Sequence, residues 1–120
     1  MKTVATSLAL IAATFSFGAM AQGTKTIDGA LTDAKGMTLY TFDKDTPGKS
    51  ACNGPCAASW PPLMATATDK PTGDYTIVTR DDGAKQWAYK GQPLYLWVKD
   101  TKPGDKTGDG VNGVWKMAKP

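Results

Sequence analysis

Histidine and glutamate are both absent, so all 11 acidic side chains among the 120 residues are aspartates. Without histidine the chain lacks the usual general base at neutral pH and the commonest protein ligand of zinc, copper and haem. It also lacks the Ser-His and Cys-His nucleophile pairs. Glu favours helices whereas Asp favours turns and caps, so the exclusive use of Asp indicates loops rather than long helices.

Long apolar segments are absent beyond the first 21 residues. That leading segment has Lys2, an apolar run over residues 4–13 and the small-residue site that ends at Ala21, which is the pattern of a secretory signal peptide. Its apolar run is too short for a transmembrane helix. We therefore expect a signal peptide over residues 1–21 and one mature domain over residues 22–120. Because no cysteine follows Ala21 directly, we expect a periplasmic or secreted protein without a lipid anchor.

Strong charge of either sign is also lacking, since the net charge is only +3 and Lys alternates with Asp along the chain. Nucleic-acid binding is therefore not expected. We expect a monomeric mature chain with no membrane span and no cofactor. Its partner would be an unidentified protein or glycan of the cell envelope.

Two segments of the chain are related in sequence. Residues 36–48 and 91–104 share the kernel Leu-Tyr-x-aromatic-x-Lys-Asp-Thr, which is followed by Pro-Gly, at an offset of 55 residues with Lys102 inserted. Trp60 and Trp115 lie at the same offset. A match of this length indicates an internal duplication. Its repeated positions are Tyr40, Phe42 and Asp45 in the first copy and Tyr95, Trp97 and Asp100 in the second.

Alternating side chains and turn residues predict the secondary structure. Within each kernel the period is two, which is typical of a strand. Asp28-Gly29 and Asp82-Gly83 predict hairpin turns, and Lys90-Gly91 begins another. The fold predicted is small, mainly antiparallel and all-β, a single domain of two pseudo-repeats with at most one or two short helical turns. Strands are expected at residues 75–79, 86–89, 93–98 and 114–117, and a helical turn at residues 56–60.

The two kernels resemble the Yx(FWY)xxD motif of a bacterial family of predicted lipoproteins, also called the secreted repeat of unknown function. Residues 52–63 and 107–115 are similar to the same family, so the resemblance spans roughly residues 36–117. The chain departs from the lipoprotein description because it lacks the acylated cysteine. The resemblance implies envelope localisation and a repeat, and it implies no reaction.

The two cysteines, Cys52 and Cys56, are separated by three residues. In an exported chain the default state is a disulfide, which would hold a Gly-Pro loop. A loop this short should contribute less than the typical ~2–4 kcal/mol. A thiol-redox pair is an alternative, because Lys49 is near and a helical turn begins at Cys56. A soft-metal site is another, although no histidine is present and the three later Met residues are scattered.

Residues 105–110 resemble the first half of an EF-hand loop. Asp105, Thr107 and Asp109 would supply oxygen ligands, which makes them a weak calcium candidate. The position that requires a bidentate carboxylate is Lys116, and no long helices flank the loop. A polar turn between strands is the alternative, and we assign no metal site.

The kernel acids Asp45 and Asp100 permit two interpretations. They could form a catalytic carboxylate pair of the kind used in glycoside hydrolysis. Alternatively, each could cap the Thr-Pro-Gly turn that follows it by accepting backbone N–H bonds. The turn interpretation is favoured, and no catalytic residue is assigned.

Aromatic side chains are mostly Tyr and Trp, which suit both half-wet cores and binding surfaces. Most should be core, but Trp87 and Tyr89 on a predicted hairpin are candidates for a ligand platform. Together these patterns favour a non-enzymatic exported binding module. The alternative is a periplasmic thiol-redox or metal-handling protein that uses Cys52 and Cys56, and a hydrolase that uses Asp side chains is the third reading.

Overall fold

The computed structural model describes residues 24–120. Its elements are seven short strands, one helical turn and one 3₁₀ turn. Apart from these two turns, the elements are antiparallel strands, as predicted. The predicted signal peptide over residues 1–21 lies outside the described residues. In chain order the elements are β1 Lys25–Ile27, β2 Ala30–Thr32, β3 Tyr40–Phe42, α1 Pro55–Ser59, β4 Tyr75–Thr79, β5 Lys85–Tyr89, β6 Gln92–Pro93, the 3₁₀ turn Val111–Gly113 and β7 Trp115–Met117.

The strands form three small antiparallel sheets: β1 with β2, β3 with β7, and β4-β5-β6. The β1–β2 hairpin turns at Asp28 and Gly29, which have φ of +51° and +81°. Lys90 and Gly91, with φ of +52° and +85°, connect β5 to β6. Two consecutive positive φ values characterise the tight hairpin turn whose twist matches that of its strands, so these predicted turns are confirmed.

The predicted strand over residues 93–98 is shorter than expected. Regular pairing ends at Pro93, and Tyr95 instead forms isolated bridges with Tyr40 and with Pro62. The neighbouring Leu96 donates to the carbonyl of Pro61 at 2.7 Å. Because proline has no N–H group, residues 61 and 62 cannot sustain a full ladder beside this segment.

The two kernels cross at their tyrosines. The amide of Tyr40 donates to the carbonyl of Tyr95 at 2.8 Å, and the amide of Tyr95 donates back to Tyr40 at 2.9 Å. At this crossing the residues before the tyrosines, Leu39 and Leu94, belong to one buried cluster, and the tyrosines belong to another. Alternation within each kernel therefore supplies both cores of the molecule.

We call these cores the leucine cluster and the aromatic cluster. In each, partly buried side chains pack around the buried members. The leucine cluster has Leu31, Leu39, Leu63, Tyr75, Trp87, Leu94 and Ala118 as its buried members. The aromatic cluster has Tyr40, Cys52, Trp60, Tyr95 and Trp115 buried, with Phe42 and Trp97 packed against them.

The segment that ends each half of the chain pairs with backbone groups of the other half. Leu63 follows the first kernel, yet its amide donates to Leu94 at 2.9 Å and its carbonyl accepts from Trp87 at 2.8 Å. Ala118 follows the second kernel, and its amide donates to Leu39 at 2.8 Å while its carbonyl accepts from Leu31 at 2.9 Å. We refer to this reciprocal pairing as the segment exchange.

Candidate functional site

The kernel tyrosines and aspartates pair across the two halves. The Tyr40 hydroxyl donates to Oδ2 of Asp100 at 2.6 Å, and the Tyr95 hydroxyl donates to Oδ2 of Asp45 at 2.6 Å. A hydroxyl that donates to a carboxylate at this distance forms one of the stronger hydrogen bonds in proteins. The repeated Tyr and Asp of the motif therefore join the two repeats to each other.

The second oxygen of each carboxylate accepts from the segment six or seven residues later. Oδ1 of Asp45 accepts from the amide of Ala51 at 2.6 Å, and Oδ1 of Asp100 accepts from the amide of Thr107 at 3.0 Å. We predicted that the N–H donors to these carboxylates would lie in the Thr-Pro-Gly turn itself. In the structure the donors lie beyond the turn, at Ala51 and Thr107, because the chain after each kernel returns to its own aspartate.

Burial changes the titration of these groups. Desolvation, followed by the hydrogen bond to the neighbouring carboxylate, raises the pKa of Tyr40 and of Tyr95 well above the ordinary tyrosine value. Desolvation also raises the pKa of Asp45, although the hydrogen bonds from Tyr95 and Ala51 oppose the shift. Both phenols therefore stay protonated at pH values where exposed tyrosines ionise.

The raised tyrosine pKa values predict loss of stability in alkali. Above pH ~10 the unfolded chain loses phenolic protons that the folded chain retains, so the free energy of unfolding falls as pH rises. Each tyrosine contributes at most about 1.4 kcal/mol per pH unit to this slope. Urea unfolding between about pH 8 and 11 should show the decline, and the double variant Tyr40→Phe/Tyr95→Phe should have a flatter profile. A double variant as steep as the native chain would contradict the assignment.

Four aromatic rings form one continuous stack through the aromatic cluster. Trp60 and Trp115 are nearly parallel, with ring centroids 3.8 Å apart and an interplanar angle of 5°. Phe42 stacks on Trp115 at 4.3 Å, and Trp97 stacks on Trp60 at 3.9 Å. The order Phe42-Trp115-Trp60-Trp97 places equivalent positions of the two repeats at equivalent places in the stack. We call these four rings the ring stack.

The kernel tyrosines contact the edges of the stacked indoles nearly at right angles. Tyr40 meets Trp60 at 5.4 Å and Tyr95 meets Trp115 at 5.1 Å, both close to perpendicular. Edge-to-face contacts of this kind bring the positive edge of one ring to the negative face of another. The phenols thus lie between the ring stack and the two carboxylates.

Gly108 is required by this packing. A Cβ at this position would lie 2.8 Å from Cη2 of Trp60 and 3.0 Å from Cε1 of Tyr40, closer than van der Waals contact. Its amide donates to the Tyr40 hydroxyl at 3.2 Å. Sequence reasoning missed this role, because glycine in a Gly-Asp turn has the appearance of an ordinary turn residue.

Arg80, the single arginine of the chain, is the other residue that the sequence did not single out. It is 5% exposed, and its guanidinium donates to Ser50 Oγ at 3.0 Å, to Gln86 Oε1 at 2.8 Å and to the carbonyl of Cys52. The Ser50 hydroxyl also shares a 2.6 Å hydrogen bond with the Tyr95 hydroxyl. A buried cation therefore joins the cysteine loop to one Tyr-Asp pair.

The cysteines form the predicted disulfide, Cys52–Cys56. Cys52 is fully buried in the aromatic cluster, whereas Cys56 is half-buried in α1. The helix begins at Pro55, the position where proline is favoured, and ends before Trp60. The short bridge holds this loop against the ring stack.

The three calcium candidates, Asp105, Thr107 and Asp109, each form hydrogen bonds with different protein groups. Asp105 binds Lys102 Nζ at 2.7 Å and caps the amide of Thr101, the Thr107 hydroxyl donates to Asp100, and Asp109 accepts from the amide of Met117. Each oxygen ligand of the expected loop thus has a different protein partner. Over residues 24–120 no group of three or more Cys, Asp, Glu or His side chains could hold a metal ion.

Trp87 and Tyr89, the two aromatic residues proposed as a ligand platform, differ in their burial. Trp87 is 2% exposed within the leucine cluster, so its ring presents no face to a ligand. Tyr89 is half-buried, 4.9 Å from Tyr75 and under the Lys90 ammonium group. The half-buried rings of the kernels, Phe42 and Trp97, were not proposed for this role.

Two adjoining cavities lie beside the end of β3. One, of about 490 Å³, is lined by residues that include Thr41, Asp43, Gln92 and Lys116. The other, of about 260 Å³, is lined by Phe42, Pro47 and Lys90 and again by Asp43 and Gln92. We call them together the Phe42 cleft. Its lining combines one aromatic ring with three carboxylates and three ammonium groups: Asp43, Asp45, Asp109, Lys90, Lys116 and Lys119.

Comparison with known proteins agrees with the duplication. A family model described as a secreted repeat of unknown function matches residues 23–64 and matches again at residues 76–119. No curated protein and no solved structure matches the chain. Within the described residues no helix is long and apolar enough to cross a membrane.

Proposed function

Because the chain belongs to the family of secreted repeats of unknown function, we propose that it is an exported cell-envelope protein that binds a partner and catalyses no reaction. The signal peptide would occupy residues 1–21, and the single mature domain residues 22–120. The first family match begins at residue 23, which supports a boundary at that point. Cleavage after Ala21 would release a chain with no cysteine at its new N-terminus.

The internal use of the reactive side chains supports a binding role. Asp45 and Asp100 each accept hydrogen bonds from the protein on both carboxylate oxygens. Arg80 donates only to groups within the fold among the residues described. Side chains held in this way stabilise a framework, and a hydrolytic acid–base pair would need its oxygens free for substrate.

The Phe42 cleft is the surface that we propose for the partner. Phe42 stacks on Trp115 by one face and lines the cleft, so a rigid ring is presented beside hydrogen-bonding groups. Asp43, which follows β3, and Lys116 of β7 form an exposed 2.6 Å ion pair that lines the cleft. An aromatic ring beside several charged and hydrogen-bonding groups gives a polar partner, such as a glycan or a peptide, both a face to stack on and hydrogen-bond partners.

We expect a ligand to perturb the amides that line the cleft. The exported protein, ¹⁵N-labelled and purified from the envelope, would be titrated with soluble peptidoglycan fragments and separately with envelope protein extract. Shifts should concentrate at Thr41, Asp43 and Gln92. The double variant Asp43→Asn/Lys116→Gln should weaken binding by at least about tenfold, or ~1.4 kcal/mol.

The matched control changes an aspartate far from the cleft. Asp28→Asn alters the exposed β1–β2 turn, where asparagine also tolerates a positive φ, and should leave binding unchanged. Shifts in neither titration, or equal weakening by both variants, would refute the cleft as a binding site.

A thiol-redox role for Cys52 and Cys56 is the second candidate. The observation that favours it is the contact of the Arg80 guanidinium with the Cys52 carbonyl, since a nearby cation stabilises a thiolate. The complete burial of Cys52 favours a structural bridge instead. A metal-handling role would need the reduced thiolates as ligands, since the described residues offer no other cluster.

The reduction potential of the disulfide separates these roles. For the binding module we expect a value below about −300 mV, as in structural bridges of secreted proteins. Equilibration with dithiothreitol or glutathione buffers, read by thiol alkylation and mass spectrometry, measures it. A potential between about −120 and −230 mV would favour the thiol-redox role.

A further inference from the structure

The ring stack has inner and outer members with different exposure. Trp60 and Trp115 are 4% and 3% exposed, whereas the outer rings, Phe42 and Trp97, are half-buried. Solvent therefore reaches the stack through a phenyl ring at one end and through an indole at the other. Indole loses an electron much more readily than phenyl, so the two ends are chemically unequal.

We propose that the aromatic cluster is a one-electron relay that carries an oxidising equivalent from Trp97 at the surface to the buried Tyr-Asp pairs. The reaction partner is a small diffusible one-electron oxidant, such as an oxidising metal complex. Neither the family nor the binding role of the Phe42 cleft implies this activity, and it depends on neither.

Close parallel stacking provides the path for the electron. Trp97, Trp60 and Trp115 follow one another at centroid separations of 3.9 and 3.8 Å. Orbital overlap falls steeply with distance, so neighbours at van der Waals separation exchange an electron rapidly. A cofacial indole pair also shares a positive charge over two rings, which favours the radical cation at Trp60 and Trp115.

The Tyr-Asp pairs provide the end of the path. The oxidant takes one electron from Trp97, leaving an indole radical cation that Trp60 and Trp115 reduce in turn. Tyr40 or Tyr95 then gives an electron to the indole while its phenolic proton passes to Asp100 or Asp45. The products are the reduced oxidant, a neutral tyrosyl radical and a protonated carboxyl group, so charge and protons balance.

The distances suit this coupled step. Each phenol is already hydrogen-bonded to its carboxylate at 2.6 Å, so the proton moves along an existing bond. Each phenol ring also contacts an indole, at 5.4 Å for Tyr40 and 5.1 Å for Tyr95. Loss of the proton as the electron leaves avoids the unstable phenol radical cation.

Flash-quench oxidation of the full exported protein tests the relay. Photogenerated ruthenium(III) tris-bipyridine serves as the oxidant, and transient absorption distinguishes indole radicals from tyrosyl radicals. In the native protein the indole signal should decay as the tyrosyl signal rises. The decay and the rise report the same proton-coupled step, so both should slow in D₂O; decay that leaves no tyrosyl radical would overturn the proposal.

The repeat itself supplies matched variants for the surface end. Trp97→Phe places at one end the residue that the fold already accommodates at the other, and it should slow oxidation by at least about tenfold. The exchanged variant Phe42→Trp/Trp97→Phe should restore the rate. An unchanged rate in Trp97→Phe would refute Trp97 as the site of first oxidation.

A second pair of variants tests the buried end. Tyr40→Phe/Tyr95→Phe should abolish the tyrosyl signal and lengthen the lifetime of the indole radical. Tyr75→Phe/Tyr89→Phe removes the hydroxyls of Tyr75, a member of the leucine cluster, and of Tyr89, which packs against it, and should leave the signal intact. The opposite pattern would overturn the proposal, and circular dichroism establishes that each variant is folded before it is measured.

Discussion

Replacing Trp60 with alanine is expected to lower the free energy of unfolding by about 3–5 kcal/mol, a large part of the ~5–15 kcal/mol typical of a small domain. The substitution removes the ring that contacts Trp97 on one face, Trp115 on the other and Tyr40 at its side. It also leaves a cavity beside Gly108, where no side chain is present to refill it. Urea unfolding followed by circular dichroism measures the loss.

The duplication provides an internal comparison for this result. Trp115 has the same place in the other half and is equally buried, so Trp115→Ala should be as damaging to within about 1 kcal/mol. Val98→Ala, at a side chain that is 51% exposed, should change stability by less than about 0.5 kcal/mol. A small effect of Trp60→Ala beside a large effect of Trp115→Ala would contradict the shared stack.

Replacing Arg80 with methionine is expected to destabilise the fold by about 3–5 kcal/mol. Methionine preserves most of the apolar stem but leaves buried acceptors at Ser50, Gln86 and the Cys52 carbonyl without the guanidinium. It also removes the charge whose Coulomb attraction stabilises the Asp45 carboxylate. Thermal unfolding at neutral pH, with the disulfide intact, measures the change.

Lys49 is the matched cation for this experiment. Its 3.1 Å ion pair with Asp81 is exposed, so Lys49→Met should cost no more than about 1 kcal/mol. Arg80→Lys should recover only part of the stability, because an ammonium group cannot match the planar fork of the guanidinium. Equal effects of the Arg80 and Lys49 substitutions would show that the buried network contributes little.

Local chemistry made much of the fold predictable. The hairpin turns at Asp28-Gly29 and Lys90-Gly91 need positive φ values, which Gly and Asp accept readily, so Asp28, Gly29 and Gly91 mark hairpins directly in the sequence. The two kernels likewise identified the duplication and the family. The disulfide was also predictable, because the chain has two cysteines and was expected to be exported to an oxidising compartment.

Long-range partners were not predictable in this way. Period-two alternation places Tyr40 on one face of its strand, but nothing in it selects Asp100, 60 residues away, as the hydrogen-bond partner. Arg80 gave no signal because a lone cation after a strand is ordinarily exposed. Trp87 was wrongly proposed as a platform residue, because a tryptophan in a hairpin has the same local sequence pattern whether its ring is buried or exposed.

The segment exchange has a consequence for the ancestry of the chain. A polypeptide with a single kernel would have a final segment with no strand to pair with. Two copies of such a polypeptide could pair their final segments reciprocally, as in a two-fold homodimer. The present chain therefore has the arrangement of a two-fold homodimer whose subunits have been joined end to end. Because both halves belong to one chain, equivalent positions can differ: Phe42 and Asp43 correspond to Trp97 and Val98, and the disulfide exists in one half alone.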